Sequence, residues 1–368
     1  MALIPSIVVI PSMNLINTSR RKSIQHVMRY SSAWLLATGS WGSAQAAQDG
    51  ASRSAQDGSR PSSQDGSRPS GQDGARAYDV HDLEWIDERR GRAVPARLYR
   101  PTDAKESSVK GVPIVLFSHG LGGSRTGYQY LARFLASKGV ACFHPQHVGS
   151  DRSIWSAGSP FLLADRLLAA SGDNEAIARV LDLRFCLDRL QADRLSEGFD
   201  FSRLVVAGHS YGANSALLMG GARVLREGRI VDLQDARPRA VIAMSAPAFY
   251  GESSWTSILA SMNRPSLHIT CSEDLIRIPG LYSGPEDRVA IFKASAGLPK
   301  CFAMFEGGSH SVFTDREATG GFETNRRIKG ASCELVFEFL KLIFEGDQNA
   351  IKGWQKRHES MLSQFSSV

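Results

Sequence analysis

Short apolar runs alternate with amphipathic segments over residues 78–350 of the chain. The apolar runs are typical of strands buried on both faces, and they occupy residues 112–118, 140–144, 204–208, 240–244, 266–270 and 301–305. Apolar residues with helical spacing occupy 128–138, 175–190, 213–225 and 331–344. Strands that alternate with helices build a mostly parallel, doubly wound sheet. The pattern therefore predicts one α/β domain over 78–350.

Two further segments of this domain have features of their own. Residues 80–88 and 93–99 flank the polar turn Arg89-Arg90-Gly91, which predicts an antiparallel hairpin ahead of the parallel sheet. Residues 146–171 form a long connection that contains Trp155. A connection of this length at the edge of a sheet often forms a lid or a pocket wall. Trp155 is therefore a candidate substrate-binding residue.

The first 46 residues have the composition of an export signal. A basic cluster at 19–25 is followed by a weakly apolar stretch at 30–42 and by Ala44-Gln45-Ala46, a small-x-small cleavage pattern. These are the parts of a bacterial signal peptide. The pair Arg20-Arg21 resembles a twin-arginine signal. We therefore expect export to the periplasm or the medium.

The segments on either side of the predicted domain are expected to lie outside the fold. Residues 47–77 repeat Gln-Asp-Gly with a period of eight, and Ser, Arg and Pro fill the intervals. This composition buries too little apolar surface to offset the cost of ordering the chain, so it predicts a disordered linker. Residues 351–368 are expected to be a C-terminal tail.

Charge and cysteine content exclude several classes of function. The net charge is +6, but residues 1–77 hold eight of the 43 basic residues and only four of the 37 acidic ones. The remainder is nearly neutral, so no surface for nucleic acid is predicted. The five cysteines include no C-x-x-C pair, which argues against a zinc or redox motif. We expect no metal, no organic cofactor and no nucleic-acid partner.

The motif Gly208-His209-Ser210-Tyr211-Gly212 matches G-x-S-x-G and lies between a predicted strand and a predicted helix. That context is what a nucleophilic serine on a sharp strand–helix turn requires. The start of the helix also directs backbone N–H groups towards developing negative charge. Ser210 is therefore the candidate nucleophile.

Acyl transfer also needs two N–H donors for the oxyanion. The residue after the nucleophile, Tyr211, supplies one. The glycine-rich loop 118–123 follows a predicted strand, and Leu121 in this loop is the candidate for the second donor. A nucleotide-phosphate loop is the alternative, but its usual G-x-G-x-x-G spacing is absent. His119 is expected to shape the loop rather than to act in catalysis.

His310 lies in Gly307-Gly308-Ser309-His310-Ser311, directly after the last predicted strand. Loops at the carboxyl ends of parallel strands are where a general base belongs. Asp274 follows the strand at 266–270, and the order Ser210, Asp274, His310 is the one that serine hydrolases with a strand–turn–helix nucleophile use. Glu273 is the alternative acid; Asp287 and Asp315 are more distant alternatives.

Four other histidines have less definite roles. His209 lies inside the turn of the nucleophile and is expected to point away from the site of attack. His268 lies within a strand and is expected in the core. His144 and His147 follow a strand, and the sequence leaves open whether they line the pocket.

Together these motifs resemble bacterial hydrolases of the dienelactone-hydrolase-like and platelet-activating-factor-acetylhydrolase-like group, to which cutinase-type polyester hydrolases are related. The resemblance is carried by residues 90–101, 117–122, 208–212 and 309–313. It implies an α/β-hydrolase fold, ester hydrolysis through an acyl-serine, and Leu121 and Tyr211 as the oxyanion donors. Dienelactone hydrolases use a Cys nucleophile, whereas position 210 is Ser. In some acetylhydrolase relatives the acid follows the preceding strand, where this chain has Ser245-Ala246-Pro247.

The function expected from these features is that of a serine carboxylic ester hydrolase with the triad Ser210, His310 and Asp274. Its substrate would be a small-molecule, lipid or polymer ester. Amidase, peptidase or acyltransferase chemistry on the same triad is the alternative. A non-catalytic binding protein on the same fold is a further alternative, although such a protein does not need all three residues.

Overall fold

The computed structural model describes residues 78–102, 111–252, 254–278, 281–316 and 321–368. The expected signal peptide at 1–46 and linker at 47–77 lie outside the described residues. In the part that is described, no helix is long and apolar enough to cross a membrane. All five cysteines are buried and unpaired, and the described residues contain no group of His, Cys, Asp or Glu that could hold a metal ion.

Nine strands form the main sheet, in the order β1-β4-β6-β5-β7-β10-β11-β14-β15. These strands are β1 (Tyr78–Leu83), β4 (Ala96–Pro101), β5 (Val112–Ser118), β6 (Ala141–Pro145), β7 (Phe199–His209), β10 (Ala240–Met244), β11 (Ser266–Glu273), β14 (Lys300–Ser309) and β15 (Leu362–Ser367). The short strands β12 (Ile276–Ile278) and β13 (Leu281–Ser283) form a separate antiparallel pair. The six central strands are parallel, and β1, β4 and β15 join the two edges in antiparallel pairs. The predicted mostly parallel α/β fold is confirmed.

The predicted N-terminal hairpin is present as two antiparallel pairs. Strands β1 and β4 pair over their whole length, and the short strands β2 (Ile86–Asp87) and β3 (Arg92–Ala93) continue the hairpin to its tip. At the tip, Arg90 N donates to Asp87 O, and Gly91 has a φ of 58°. A positive φ suits glycine at such a turn, because glycine has no Cβ.

Helices cover both faces of the sheet. They are α1 (Gln129–Ser137), α2 (Ser153–Ser156), α3 (Leu163–Ala170), α4 (Asp173–Gln191), α5 (Tyr211–Gly220), α6 (Trp255–Leu259), α7 (Pro285–Ala294), α8 (Phe322–Glu345) and α9 (Gln348–His358). Successive side chains of a strand point to opposite faces, so Ile114 and Leu116 enter one apolar layer while Val115 and Phe117 enter the other. The sheet is therefore buried on both faces at its centre.

The helix after the nucleophile is shorter than the sequence indicates. The sequence pattern predicts a helix over 213–225, but α5 ends at Gly220, and Gly221 has a φ of 119° that a helix cannot continue. The next residues form a hairpin of β8 (Arg223–Arg226) and β9 (Arg229–Asp232), outside the main sheet. The apolar residues Val224 and Leu225, which suggested one more helical turn, belong to this hairpin instead.

Residues 351–368 are not the tail that the sequence analysis expects. They form most of helix α9 and all of strand β15, which pairs antiparallel with β14. The Trp354 ring is fully buried, and its Nε1 donates to Ala331 O at 2.9 Å. Strand β15 covers the edge of β14, whose open N–H and C=O groups would otherwise invite pairing with another chain. The C-terminal segment is therefore part of the fold.

Candidate active site

Ser210 lies on the turn between β7 and α5, in a conformation that few residues adopt. Its φ is 55° and its ψ is −125°, and its backbone N–H donates to Met244 O at 2.9 Å on the neighbouring strand. A positive φ of this kind costs a non-glycine residue about 1–3 kcal/mol. The strained turn lifts the hydroxyl of Ser210 above the carboxyl ends of the strands.

The two glycines of the motif are required by close packing at this turn. A Cβ on Gly208 would lie 2.2 Å from Gly212 O, and a Cβ on Gly212 would lie 2.0 Å from Ser118 O. Both distances are far below a van der Waals contact, so any side chain at these positions would push β7, α5 and the β5 loop apart. Both glycines of G-x-S-x-G are therefore needed because the backbones of β7, α5 and the β5 loop are in contact at this turn.

The side chains of Ser210, His310 and Asp274 come from three separate strand ends and lie next to one another. His310 Nε2 lies 2.8 Å from Ser210 Oγ, and His310 Nδ1 lies 2.7 Å from Asp274 Oδ1. Asp274 follows β11 and His310 follows β14, so the ends of neighbouring parallel strands bring them together. This is the geometry in which a serine hydroxyl can lose its proton to an imidazole that a carboxylate orients.

The carboxylate of Asp274 is fully buried among polar side chains. Besides His310, Thr270 Oγ1 donates to Oδ2 at 2.6 Å, and the buried Arg288 donates to Oδ1 at 3.2 Å. Burial alone would raise the pKa of Asp274, but the hydrogen bond with His310 and the charges of His310 and Arg288 outweigh it and hold the pKa well below its ordinary value. Asp274 is therefore a carboxylate at neutral pH.

The alternative acids lie elsewhere. Glu273 is exposed to solvent. The carboxylate of Asp287 accepts hydrogen bonds from Ser283 Oγ and Gly284 N, where it caps helix α7. The carboxylate of Asp315 accepts a hydrogen bond from Gln129 N at the start of α1. Of these four acids, only Asp274 is hydrogen-bonded to His310.

Leu121 and Tyr211, the predicted oxyanion donors, line one cavity together with Ser210. In the loop 118–123, called the oxyanion loop below after its predicted role, Gly120 N donates to Tyr128 Oη and Gly122 N donates to Ser150 O. Among the loop and turn hydrogen bonds of the described residues, none starts at Leu121 N or Tyr211 N. The two N–H groups are therefore available to a negatively charged oxygen beside Ser210.

A second histidine, His209, is hydrogen-bonded to the backbone carbonyl of His310. Gly120 N donates to Tyr128 Oη, Tyr128 lies 2.9 Å from His209 Nδ1, and His209 Nε2 lies 3.1 Å from His310 O. A carbonyl can only accept, so Nε2 of His209 carries the proton and Nδ1 accepts from Tyr128. This chain ties the oxyanion loop to the backbone of His310. As expected, the His209 ring bonds away from the hydroxyl of Ser210.

A buried arginine on α4 holds the oxyanion loop, and no motif indicated it. Arg179 donates to His119 O, to Ser118 Oγ at 3.1 Å and to Ser150 Oγ at 2.7 Å. Its guanidinium also lies 4.6 Å from the ring centre of Tyr211. Burial lowers the pKa of Arg179 to about 10, which leaves it charged at neutral pH. The side chain therefore contacts the segments that carry both predicted oxyanion donors.

Beside Arg179, a second Ser-His-Asp arrangement lies inside the protein. Ser118 Oγ is 2.9 Å from His147 Nε2, and His147 Nδ1 is 3.0 Å from Asp182 Oδ2. All three side chains are fully buried, so no substrate reaches them. His144 is also buried, stacked on Phe117. The structure therefore places His144 and His147 in the core, and neither lines a pocket at Ser210.

His119 and His268 have the structural positions that the sequence suggests. His119 Nδ1 lies 2.8 Å from Gly120 O, and its Nε2 accepts a hydrogen bond from His147 N. His119 thereby fixes the turn that presents Leu121. His268 is buried in β11, 3.1 Å from Ser266 Oγ.

Cavities open on two sides of Ser210. The first, with a volume of about 110 Å³, runs from Ser210 along α5 and is walled mainly by apolar residues such as Leu218, Leu233 and Phe249. The others open to solvent, and Trp155 is on their wall. Trp155 is half-exposed, and its Nε1 donates to Gly122 O at 2.9 Å. It therefore lies on the open side of Ser210 and braces the oxyanion loop.

The comparison with known families agrees with this geometry. The family model described as platelet-activating factor acetylhydrolase, isoform II, matches residues 93–178. This segment contains the loop 118–123, Trp155, the whole connection before α4 and the first turns of α4, and it ends one residue before Arg179. The predicted resemblance to this acetylhydrolase group is confirmed over that part of the chain. The match indicates a hydrolase that acts on esters. No curated protein matches the chain.

Proposed function

We propose that the protein is a serine carboxylic ester hydrolase that acts through an acyl-Ser210 intermediate, with His310 as general base and Asp274 as the acid of the triad. The observation that carries this proposal is the chain of hydrogen bonds from Asp274 to His310 at 2.7 Å and from His310 to Ser210 at 2.8 Å. The free N–H groups of Leu121 and Tyr211 beside it and the family match support it.

In the first half of the reaction, Ser210 Oγ attacks the carbonyl carbon of the ester while its proton passes to His310 Nε2. The carbonyl oxygen becomes an oxyanion that accepts hydrogen bonds from the N–H groups of Leu121 and Tyr211. Asp274 stabilises the imidazolium through Nδ1. The bond to the alcohol oxygen then breaks, His310 gives its proton to that oxygen, and the alcohol leaves.

In the second half, a water molecule takes the place of the alcohol. His310 Nε2 accepts a proton from the water, and the hydroxide oxygen attacks the acyl carbon. The same two N–H groups stabilise the second oxyanion. The bond to Ser210 Oγ breaks, His310 returns the proton to the serine, and the carboxylic acid leaves. The open cavity that contains His310 and Trp155 gives the alcohol and the water a path to solvent.

The export expected from residues 19–46 belongs to the same proposal. A periplasmic or secreted enzyme would meet lipid, polymer or small-molecule esters outside the cytoplasm. Amidase, peptidase and acyltransferase activities use the same groups, and they differ in the leaving group or in the acceptor that replaces water. Substrates with different leaving groups therefore separate these activities.

The test compares the full chain with its Ser210→Ala variant on p-nitrophenyl esters, with a matched p-nitroanilide and with an alcohol acceptor. We expect wild-type ester hydrolysis and a loss of about 10⁶-fold in kcat in Ser210→Ala, because the nucleophile is removed. Ser137→Ala is the control, since Ser137 Oγ bonds to Phe134 O on α1, away from the site. Ester hydrolysis that survives in Ser210→Ala would show that Ser210 is not the nucleophile. A folded wild type that turns over only the anilide would favour an amidase.

A further inference from the structure

The apolar cavity beside Ser210 follows one face of helix α5. It starts at Ser210 and Tyr211 and reaches Leu218, eight residues further along the chain. At 1.5 Å per residue, this part of the helix is roughly 12 Å long. Besides Ser210 and Tyr211, the polar side chains on the wall are Ser171, Asn214, Ser215, Tyr250 and the pair Asp173 and Arg226. The remaining wall is apolar, which suits a hydrocarbon chain better than a polar alcohol.

Three separate segments build the outer wall of this cavity: the N-terminus of α4, the β8–β9 hairpin and residues 247–250. None of them is a strand of the main sheet. The hairpin is the segment that replaced the expected end of α5, and it contributes Val224 and Val231 to the wall. The size of the cavity therefore depends on what holds these three segments together.

Arg226 holds them. Its Nε donates to Asp173 at 2.7 Å, at the N-terminus of α4. Its Nη2 donates to Tyr250 O at 3.0 Å, and its Nη1 donates to the carboxylate of Glu252. Glu252 is nearly buried, and it also accepts a hydrogen bond from Leu225 N of the hairpin. We call Arg226, Asp173 and Glu252 the arginine bridge.

We propose that the apolar cavity binds the acyl chain of the substrate and that the arginine bridge limits the length of chain it accepts. The inference rests on the proposed function, since it assigns a subsite to the same nucleophile. An acyl chain bound to Ser210 that enters the cavity runs along α5 towards Val224. With the bridge intact, the three wall segments cannot separate, so longer chains must leave part of their length in water.

Two kinds of variant should shift chain-length preference in opposite directions. Removing the bridge in Arg226→Ala frees the hairpin, whereas Val224→Phe fills the cavity from the hairpin side. Because one added methylene in an apolar pocket is worth roughly tenfold or more in selectivity, we expect changes of at least about tenfold. The ratio of kcat/KM for the dodecanoyl ester to that for the butanoyl ester should rise in Arg226→Ala and fall in Val224→Phe.

The matched control is Arg223→Ala on the same hairpin. Arg223 pairs with Asp232 in an exposed ion pair and is not on the cavity wall. This variant should keep the wild-type ratio. Glu252→Gln weakens the bridge while keeping the shape of the side chain, so it should raise the ratio even if Arg226→Ala does not fold. Thermal unfolding of each variant shows which ones are folded.

The full chain is assayed with p-nitrophenyl esters from acetyl to hexadecanoyl, below the concentrations at which they aggregate. A higher ratio in Arg226→Ala or Glu252→Gln, together with a lower ratio in Val224→Phe, supports the proposal. If the folded bridge variants keep the ratio of Arg223→Ala, the arginine bridge does not set chain length, although the proposed esterase function stands. If the wild type hydrolyses no ester in the series, the proposed function itself fails.

Discussion

Asp274 and Glu273 are adjacent in the chain but differ in their contacts. Asp274 is buried against His310, Thr270 and Arg288, whereas Glu273 is exposed. We predict that Asp274→Asn lowers kcat by about 10⁴-fold, because an amide at this position favours the wrong imidazole tautomer. Glu273→Gln should keep wild-type kcat. The measurement is the kcat of both variants on the same p-nitrophenyl ester.

Loss of folding has to be separated from loss of catalysis in this comparison. Asp274→Asn also leaves the buried Arg288 without its carboxylate partner, which costs stability. Thermal unfolding of both variants therefore accompanies the kinetics. A folded Asp274→Asn enzyme with wild-type kcat would contradict the assignment of Asp274, and a loss confined to Glu273→Gln would transfer the role to Glu273.

At the scale of elements, helix α4 supports the oxyanion loop through Arg179. We predict that Arg179→Met lowers kcat by about 10²–10³-fold, the loss typical of a misplaced oxyanion donor. KM should change much less, since Arg179 is buried and contacts His119 O and Tyr211, not the open cavity. The kcat and KM of Arg179→Met on one ester test this expectation.

The control for this variant is Arg184→Met on the same helix. Arg184 donates to Gln234 O on the far side of α4 from the oxyanion loop, and it pairs with Asp235. The Arg184→Met variant should therefore retain the wild-type kcat and KM. Equal kinetic losses in the two folded variants would mean that α4 acts only as a structural support, and an unchanged kcat in Arg179→Met would remove Arg179 from the positioning of the oxyanion loop.

Elements whose pattern is local could be predicted from the sequence, and those that depend on distant partners could not. The continuous apolar run at 112–118 identified a strand buried on both faces. Strand β15, with the sequence Leu-Ser-Gln-Phe-Ser-Ser, carries too little apolar character to stand out, and it is a strand only because the β14 edge is open beside it. The pattern places the end of α5 too late because Val224 and Leu225 fit both a helix and a hairpin.

In the whole molecule, the candidate site shows the same difference between features with a local sequence pattern and features that depend on distant partners. The proximity of Ser210, Asp274 and His310 could be predicted because each directly follows an apolar strand, and parallel strands end at one edge of the sheet. The side chains that hold these three residues in place could not be predicted from the sequence. Arg179 contacts Ser118 across 61 residues of chain, and Arg226 contacts Asp173 across 53. Both arginines looked like ordinary charged residues, and only the folded chain shows which of them is buried.

Five buried histidines make the stability of the whole molecule depend on pH. Burial lowers the pKa of His144, His209 and His268 to about 3. It lowers the pKa of His119 and His147 well below the ordinary value, with the charge of Arg179 adding to the effect. In the unfolded chain each would titrate near 6.5. Below that pH the unfolded state binds more protons than the folded state, so acid favours unfolding.

The stability from these neutral histidines is complete above about pH 6.5 and is lost as the pH falls towards 3. Each histidine changes the free energy of unfolding by up to about 1.4 kcal/mol per pH unit. A typical domain has a free energy of unfolding of about 5–15 kcal/mol, so five such histidines can remove it between about pH 6 and pH 4. We predict that the urea concentration at half-unfolding falls steeply over this range. His268→Gln, which removes one buried titrating group far from Ser210, should reduce the slope by about 1.4 kcal/mol per pH unit. Urea unfolding followed by tryptophan fluorescence measures both slopes, and a stability that stays constant from pH 7 to pH 4 would contradict the burial of these rings as neutral groups.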